Sequence, residues 1–450
     1  MRLIEKYNHP VPRYTSYPTV PYWMPKAPDQ QQWLNSLITS LQREPSLSLY
    51  VHLPFCESLC TYCGCNKHIT RNHRVEGPYI ETVLRELDLY LSELGSIRPQ
   101  LSALHFGGGT PTFFSPTALQ RLTEGIVNRF TVAEVRDFAF EAHPNGTTAE
   151  HLAVLAGAGF NRISVGVQDF NPDILAKINR KQTEAQVYAT VNNARKYGYS
   201  SINFDLIYGL PGQQHRDIDY TADRVAELRP DRIAFYGYAH VPWKSPGQRA
   251  YSEDDLPRGA DKWNLYTHGR DRFEEEGYID IGLDHFSLPT DELAIAHRNG
   301  KLHRNFMGYT TVDSPVTIGL GCSAIGDSWG MYVQNEKTVK EYQRIVNEEN
   351  RLPLIKGYSL TANDQKVRQH ILNIMCQGAT EWEQSKNSCS AISRAMLHWD
   401  EMAADGLVKL TDNRVEVTES GEPFLRNLCL PLDDHYWARR PQTQAFSKAV

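Results

Sequence analysis

The sequence predicts an α/β fold: a parallel barrel or a doubly wound parallel sheet, preceded by an arm (1–45) and followed by a smaller, mainly helical, winged-helix-like unit (353–450). Three observations carry this expectation. Six short apolar runs alternate with amphipathic stretches between Ser46 and Ala239, the rhythm of successive βα units. Most of the runs are near-continuously apolar, as suits strands covered on both faces. Beyond Pro353 the pattern changes to two helical stretches and a hairpin.

Taken in order, the first 45 residues are rich in Pro and Tyr and read as an irregular arm. Strands are predicted at Leu47–Leu53, Ala103–Phe106, Phe138–Glu141, Ile163–Val167, Ile202–Ile207 and Ile233–Tyr238. Helices fall between them. Ile80, Val83, Leu84, Leu87, Leu91 and Leu94 recur at helical spacing, and Gly95 supplies a stop. Ser115-Pro116 reads as an N-cap followed by proline in the first turn, with Leu119, Leu122 and Ile126 as the buried stripe. The stretches Glu150–Gly157, Glu184–Lys196 and Asp217–Leu228 behave alike. No Gly-x-Gly-x-x-Gly opens the first unit, which argues against a dinucleotide-binding domain. The middle unit, 46–352, is thus the expected catalytic body. Barrel chemistry sits at the C-terminal ends of the strands, and polar residues gather there: a cysteine cluster, Gly107–Thr110, Glu141, Gln168 and Asp205.

Ser359–Gln377 and Ala391–Ala403 read as helices, and Leu407–Leu410 with Arg414–Val417 as a hairpin turning at Thr411-Asp412-Asn413. Ten acidic residues oppose seven basic ones over 360–430, which suits a covering domain better than a phosphate-tracking one. The whole chain has 47 basic and 53 acidic residues, so no nucleic-acid partner is expected. No run has the length and apolarity of a signal peptide or membrane helix, so the expectation is a cytoplasmic protein without a membrane partner. Thiols stay reduced in that compartment. The eight cysteines then read as metal ligands or core residues, and Cys322, Cys376, Cys389 and Cys429, which are scattered, as the latter.

The remaining four form one loop, Cys56-Glu57-Ser58-Leu59-Cys60-Thr61-Tyr62-Cys63-Gly64-Cys65. Cys56, Cys60 and Cys63 have the spacing to hold three irons of a cubane and leave the fourth open. Zinc prefers four ligands in separated pairs, and a ferredoxin-type carrier four thiolates. These stand as alternatives, with a thioredoxin-like dithiol.

Cys-x3-Cys-x2-Cys with Tyr62 before the last cysteine resembles the radical SAM (S-adenosylmethionine) signature. Several longer segments resemble the oxygen-independent coproporphyrinogen III oxidases in particular: Pro12–Pro18, Tyr50–Cys56, Gly64–Lys67, Gly107–Thr112, Gly166–Phe170, Asp205–Pro211, Tyr238–His240 and His303–Phe306. The resemblance runs from about residue 7 to the C-terminus. It implies a partial parallel (β/α)6 barrel of radical SAM type, with the arm over the active site. It implies a [4Fe–4S] cluster on Cys56, Cys60 and Cys63, with SAM cleaved reductively to a 5′-deoxyadenosyl radical. That radical takes a β-hydrogen from a propionate of coproporphyrinogen III, and loss of CO₂ and one electron leaves a vinyl group; two rounds give protoporphyrinogen IX.

The resemblance also implies site residues: Tyr50, Gly108, Glu141 and Ile325 for the cluster-bound SAM, and Tyr62, Gly109, Thr110, Gln168, Arg180, Asp205 and Ala239 for a second SAM. Tyr50 and Glu141 are thereby expected at the reacting centre, with Cys65 in a catalytic or substrate-side role. A substrate with four carboxylates needs a basic rim; Arg13, Lys67, Arg71, Arg298 and Arg304 are candidates, with Tyr14 and Tyr17 as stacking platforms. A flavodoxin-type electron donor and a monomeric state are expected on the same ground. Ala142-His143-Pro144-Asn145 and Val241-Pro242-Trp243 depart from the family pattern and leave the second SAM pocket and the substrate rim open to change. The competing readings are a haem-binding, chaperone-like relative and a radical SAM enzyme acting on haem.

Overall fold

The computed structural model describes residues 2–383 and 389–439; the part of the expected C-terminal unit at 384–388 and 440–450 lies outside them. Among the described residues the largest sheet has twelve strands. In chain order they are β1 (Ser46–Leu53), β2 (Gln100–Gly108), β3 (Thr131–Ala142), β4 (Arg162–Gln168), β5 (Ser201–Tyr208), β6 (Arg232–Gly237), β7 (Ile279–Gly282), β8 (His285–Ser287), β9 (Val316–Leu320), β10 (Ile325–Asp327), β11 (Met331–Asn335) and β12 (Leu354–Ser359). Their order across the sheet is β12-β11-β10-β9-β1-β2-β3-β4-β5-β6-β8-β7. The strands β1 to β6 run parallel, as expected. They are joined by β9, which pairs in parallel with β1 on the other side. The flanking strands are antiparallel.

The helices return the chain between parallel strands and cover the outer face. The helix Glu76–Glu93 buries Ile80, Val83 and Leu87 against that face. Ser115 caps Pro116–Val127, and Thr148 and Thr183 form capping boxes on the next two long helices. Each of these starts is where the sequence places it.

Three expectations need correction. The arm is not irregular throughout: Gln30–Arg43 is a helix capped by Asp29, with Trp33, Leu34, Leu37 and Leu41 buried in the main core. Reading 45 residues as one Pro- and Tyr-rich stretch hid that stripe. Second, a unit beginning at 353 would include β12, yet β12 pairs with β11 and so belongs to the large sheet. The helix expected from Ser359 begins at Ala362, where Thr361 and Asp364 close a capping box. Third, Tyr14 and Tyr17 are 2% exposed and cannot lie against a ligand. They pack with Val367, Ile371 and Trp399 in a separate core under the C-terminal helices. Tyr14 Oη donates to Asp433 (3.2 Å), and the Asp434 amide donates to Tyr17 Oη (3.2 Å). The arm is thus clamped by the C-terminal region, whose helices Ala362–Gln377 and Ser390–Ala404 are followed by the hairpin of Val408–Leu410 and Arg414–Val417.

Burial also sets a pH dependence. Desolvation pushes the carboxyls of Asp169 and Asp280 up to about 7, against the hydrogen bonds each accepts. A carboxyl whose folded pKa lies above its unfolded value binds more protons when folded. Its stabilising contribution is complete below pH 4 and is lost as pH rises through 7. At about 1.4 kcal/mol per pH unit of displacement, each costs the fold on the order of 4 kcal/mol at pH 8 relative to pH 4. Asp280→Asn is expected to raise the thermal midpoint at pH 8 and leave it little changed at pH 4. A variant curve parallel to wild type across that range would contradict the assignment.

Candidate active site

The parallel strands carry small and polar residues at every second position on their inner face. Sheet register lines them up in rows: Tyr50 beside His105, and Glu141 beside Ser164, Asn203 and Arg232. They enclose a cavity of about 290 Å³ bounded by Tyr50, His105, Glu141, Asp205, Arg232 and Phe306 among others.

The cysteine loop sits where β1 ends. Phe55-Cys56 pairs with His68-Ile69 and closes the loop at its neck. The segment between is held by its backbone carbonyls. Asn179 Nδ2 donates to Leu59 O (2.6 Å), Ser245 Oγ to Cys63 O (2.8 Å), and Lys67 Nζ to Cys63 O and Cys65 O (3.2 and 3.3 Å). Gln248, 1% exposed, donates through Nε2 to Tyr62 O (2.8 Å) and Ala239 O (3.2 Å), and its Oε1 accepts from the Val241 amide (2.6 Å). It ties two of the expected SAM residues together, and sequence reading missed it because a lone glutamine in a loop carries no pattern.

The glycine loop after β2 is laced to this segment. The Gly109 amide donates to Leu53 O (2.9 Å) and the Thr110 amide to Phe55 O (3.0 Å), while Thr110 Oγ1 lies 3.3 Å from Cys56 Sγ. Gly108 has φ +119°, a conformation that favours glycine, and a Cβ there would lie 2.7 Å from the His52 ring.

Tyr50 Oη and His52 Nδ1 are 3.0 Å apart, and His52 Nε2 lies 2.9 Å from Asn66 O. The Tyr50 ring stacks on His105 and meets Phe306 edge-on. Glu141 accepts from the Gly108 amide (3.2 Å) and faces His105 Nε2 at 3.4 Å. Burial works against its charge, but His105 and the Gly108 amide prevail and hold its carboxyl below the usual range. Asp205 accepts from Ser164 Oγ and Asn203 Nδ2 (both 2.9 Å), and burial pushes it up to about 6.

Arg180, buried, donates to Gly166 O, to Gln182 Oε1 (2.9 Å) and towards Cys60 Sγ (3.6 Å). Gln168, with φ +69°, lies beside it: a Cβ on Gly166 would strike both side chains. Arg180 and Asp205 thus have separate partners rather than forming one ion pair. A hydrogen bond between the Cys65 and Cys63 thiols lowers the pKa of Cys63 to about 6 and raises that of Cys65.

Tyr50, Glu141 and Asp205 therefore line the cavity, while Tyr62 lies within the cysteine loop and Gly108, Gly109, Thr110, Gln168, Arg180 and Ala239 surround it. Ile325 starts β10; its side chain packs beside Trp23 and Tyr332, while its backbone lies over Gly319, the β9 partner of Tyr50. Arg298 donates to Pro289 O (3.0 Å) on an exposed turn and is not at a rim. Arg71 is exposed beyond the cysteine loop. The sequence signal that would have found His105, Asn203 and Arg232 is the period-two placing of polar residues inside apolar strands.

An iron–sulfur group suits this donor set. The cysteines are free thiols, with Arg180 beside Cys60 and Lys67 under the loop, and cations favour thiolates. Among the described residues no three His, Cys, Asp or Glu side chains converge on a single-ion site. One zinc would draw its sulfurs to within about 4 Å of each other, whereas a cubane binds each cysteine to a different iron and takes a wider triad.

The family model for the radical SAM superfamily matches residues 50–225. The chain is 36% identical to the oxygen-independent coproporphyrinogen III oxidase of Escherichia coli (strain K12), covering 100% of this chain and 98% of that protein. It is 35% identical to the Synechocystis enzyme of the same name, covering 100% and 97%, and 36% identical to that of Pseudomonas aeruginosa, covering 96% and 95%. The solved structure of coproporphyrinogen III oxidase from Escherichia coli, titled a radical SAM enzyme, superposes with a TM-score of 0.88 at 36% identity, covering 94% of this chain and 97% of that one.

Proposed function

The chain belongs to the oxygen-independent coproporphyrinogen III oxidase family of the radical SAM superfamily, and from that premise we infer how its residues divide the work. The enzyme oxidatively decarboxylates two propionate side chains of coproporphyrinogen III to vinyl groups in haem biosynthesis. When bound, the cluster and SAM supply a reducing electron and a carbon radical able to abstract hydrogen. Each round removes one β-hydrogen atom; the carboxylate then leaves as CO₂, one further electron passes to an external electron acceptor, and a C=C bond remains.

Cys56, Cys60 and Cys63 are the proposed cluster ligands. Tyr50, Gly108 and Glu141 hold the SAM on the cluster. The Glu141 carboxylate, kept ionised by His105 and the Gly108 amide, accepts from the ribose or an ammonium group. Ile325 joins this set on family resemblance and through its backbone, which lies over Gly319 beside Tyr50. Tyr62, Gly109, Thr110, Gln168, Arg180, Asp205 and Ala239 are proposed for a second SAM, with Arg180 and Asp205 taking opposite ends of its amino-acid portion. Cys65 is proposed to act on the substrate side. A flavodoxin-type donor, a monomer and a cytoplasmic location complete the reading; among the described residues no helix is long and apolar enough to cross a membrane.

One observation carries it. The three-cysteine loop and the glycine loop are laced together at the strand ends, beside a polar cavity holding Tyr50, Glu141 and Asp205. Anaerobic incubation of the reconstituted protein with SAM, reductant and coproporphyrinogen III tests it. CO₂ and a divinyl product are expected. Tight haem binding without either product would overturn the reading in favour of a haem-binding relative.

A further inference from the structure

A second, smaller cavity of about 170 Å³ adjoins the first and shares Tyr236, His285, Phe306, Met307 and Gly308 with it. Arg13, Arg304 and Arg426 line it, against the one carboxylate of Asp284. Arg13 Nη1 uses that carboxylate at 3.0 Å. Arg426 is occupied with the carbonyls of Val11 and Pro12, and burial together with Arg13 lowers its pKa to about 9.

Arg304 is different. Its Nε and Nη1 are buried without a hydrogen-bond partner, and so is His285 Nδ1. Arg304 sits over the Tyr309 ring at 4.9 Å and the His285 ring meets Tyr309 at 5.2 Å, so both side chains have fixed positions. Arg304 as a whole is half-buried, and leaving hydrogen bonds unmade at two buried atoms of a cationic group is unfavourable. Three arginines around one carboxylate add mutual repulsion. An anion in this cavity would relieve both.

Resting on the reading above, in which the substrate is a tetracarboxylate, we propose that Arg304 and His285, with Arg13 at the entrance, form a carboxylate subsite that holds a non-reacting propionate of the substrate. The shared wall of Tyr236, His285 and Phe306 fits this: the macrocycle spans it, one propionate entering the polar cavity by Tyr50 and Glu141 and another held at Arg304. The contact would fix which side chains are presented for reaction and which survive as carboxylates.

Two probes test this on the anaerobically reconstituted full chain, followed by porphyrin fluorescence. Coproporphyrin III carries four propionates; protoporphyrin IX keeps only the two that the reaction leaves. Arg304→Met, which preserves the packing on Tyr309, is expected to weaken both about 10–100-fold, the scale of a lost charge-assisted contact. Arg304→Lys should recover part of it, and cluster absorbance and SAM binding should be unchanged. His285→Gln, expected to cost about 2–10-fold, carries the test should Arg304→Met lose its cluster. Unchanged affinity for both porphyrins would overturn the subsite alone. A loss confined to coproporphyrin III would overturn its assignment to a non-reacting propionate. Failure of wild type to bind coproporphyrin III would overturn the substrate reading itself.

Discussion

Changing Cys56, Cys60 or Cys63 to Ser, one at a time, is expected to abolish the brown iron–sulfur absorbance and SAM cleavage together. The reasoning begins with number. Three thiolates are the minimum that grips a cubane and still leaves one iron open, so no ligand is redundant. Serine stays protonated at neutral pH and is a poor iron ligand. Cys65 is the nearest spare thiol, but it lies two positions past Cys63 and already hydrogen-bonds to it. Taking Cys63's place would require remaking a segment whose carbonyls are fixed by Lys67, Ser245 and Gln248. The loss should therefore exceed the about 10–100-fold typical of residues that merely support a ligand. Cys65→Ser supplies the contrast: a normal cluster and SAM cleavage, with decarboxylation lost. Iron and sulfide content, visible spectra and methionine release measure all four variants. A normal cluster after any one of the first three changes would remove that residue from the ligand set.

The sequence made the parallel body legible for a physical reason. Strands such as β1 and β5 are buried along nearly their whole length, with apolar residues dominating and only isolated Ser, Asn, Asp or His between them, so each run stands out from its helices. The cysteine and glycine loops were legible because their chemistry and backbone freedom are written in residue type. Other features were hidden because they depend on packing between distant segments. β9 joins β1 in parallel after an intervening stretch of 262 residues, and nothing in Val-Thr-Ile-Gly-Leu announces that partner. Gln248 matters only because Tyr62 and Ala239 lie beside it. Arg180 and Asp205 look like an ion pair by type, yet the fold gives each its own partners. Tyr14 and Tyr17 look like stacking platforms, yet they belong to the core that clamps the arm. Arg304 was legible as a basic residue, while its unmade hydrogen bonds, the feature that distinguishes it from Arg298, exist only in the folded chain.

The same dependence on distant packing makes Gly109→Ala a damaging small change beside the cysteines. A Cβ at Gly109 would lie 2.5 Å from Pro54 O, 2.6 Å from Pro54 C and 2.9 Å from Phe55 O. These are backbone atoms of the strand end that delivers Cys56, so no side-chain rotation relieves the contact. Either the glycine loop retreats, losing the Gly109–Leu53 and Thr110–Phe55 hydrogen bonds, or the Pro54–Cys56 segment is pushed away from the other two cysteines. The first route breaks the expected SAM contacts at Gly108 and Thr110, and the second breaks the cluster. Two lost hydrogen bonds and a displaced segment amount to about 2–5 kcal/mol. Methionine release should fall at least about 100-fold. Gly77→Ala is the control, because a Cβ there meets nothing within 4 Å on the helix Glu76–Glu93. It should stabilise the chain by about 0.5–1 kcal/mol and leave turnover unchanged. Thermal unfolding, cluster absorbance and methionine release separate the two variants, and a Gly109→Ala protein with normal cluster content and turnover would refute the close lacing of these loops.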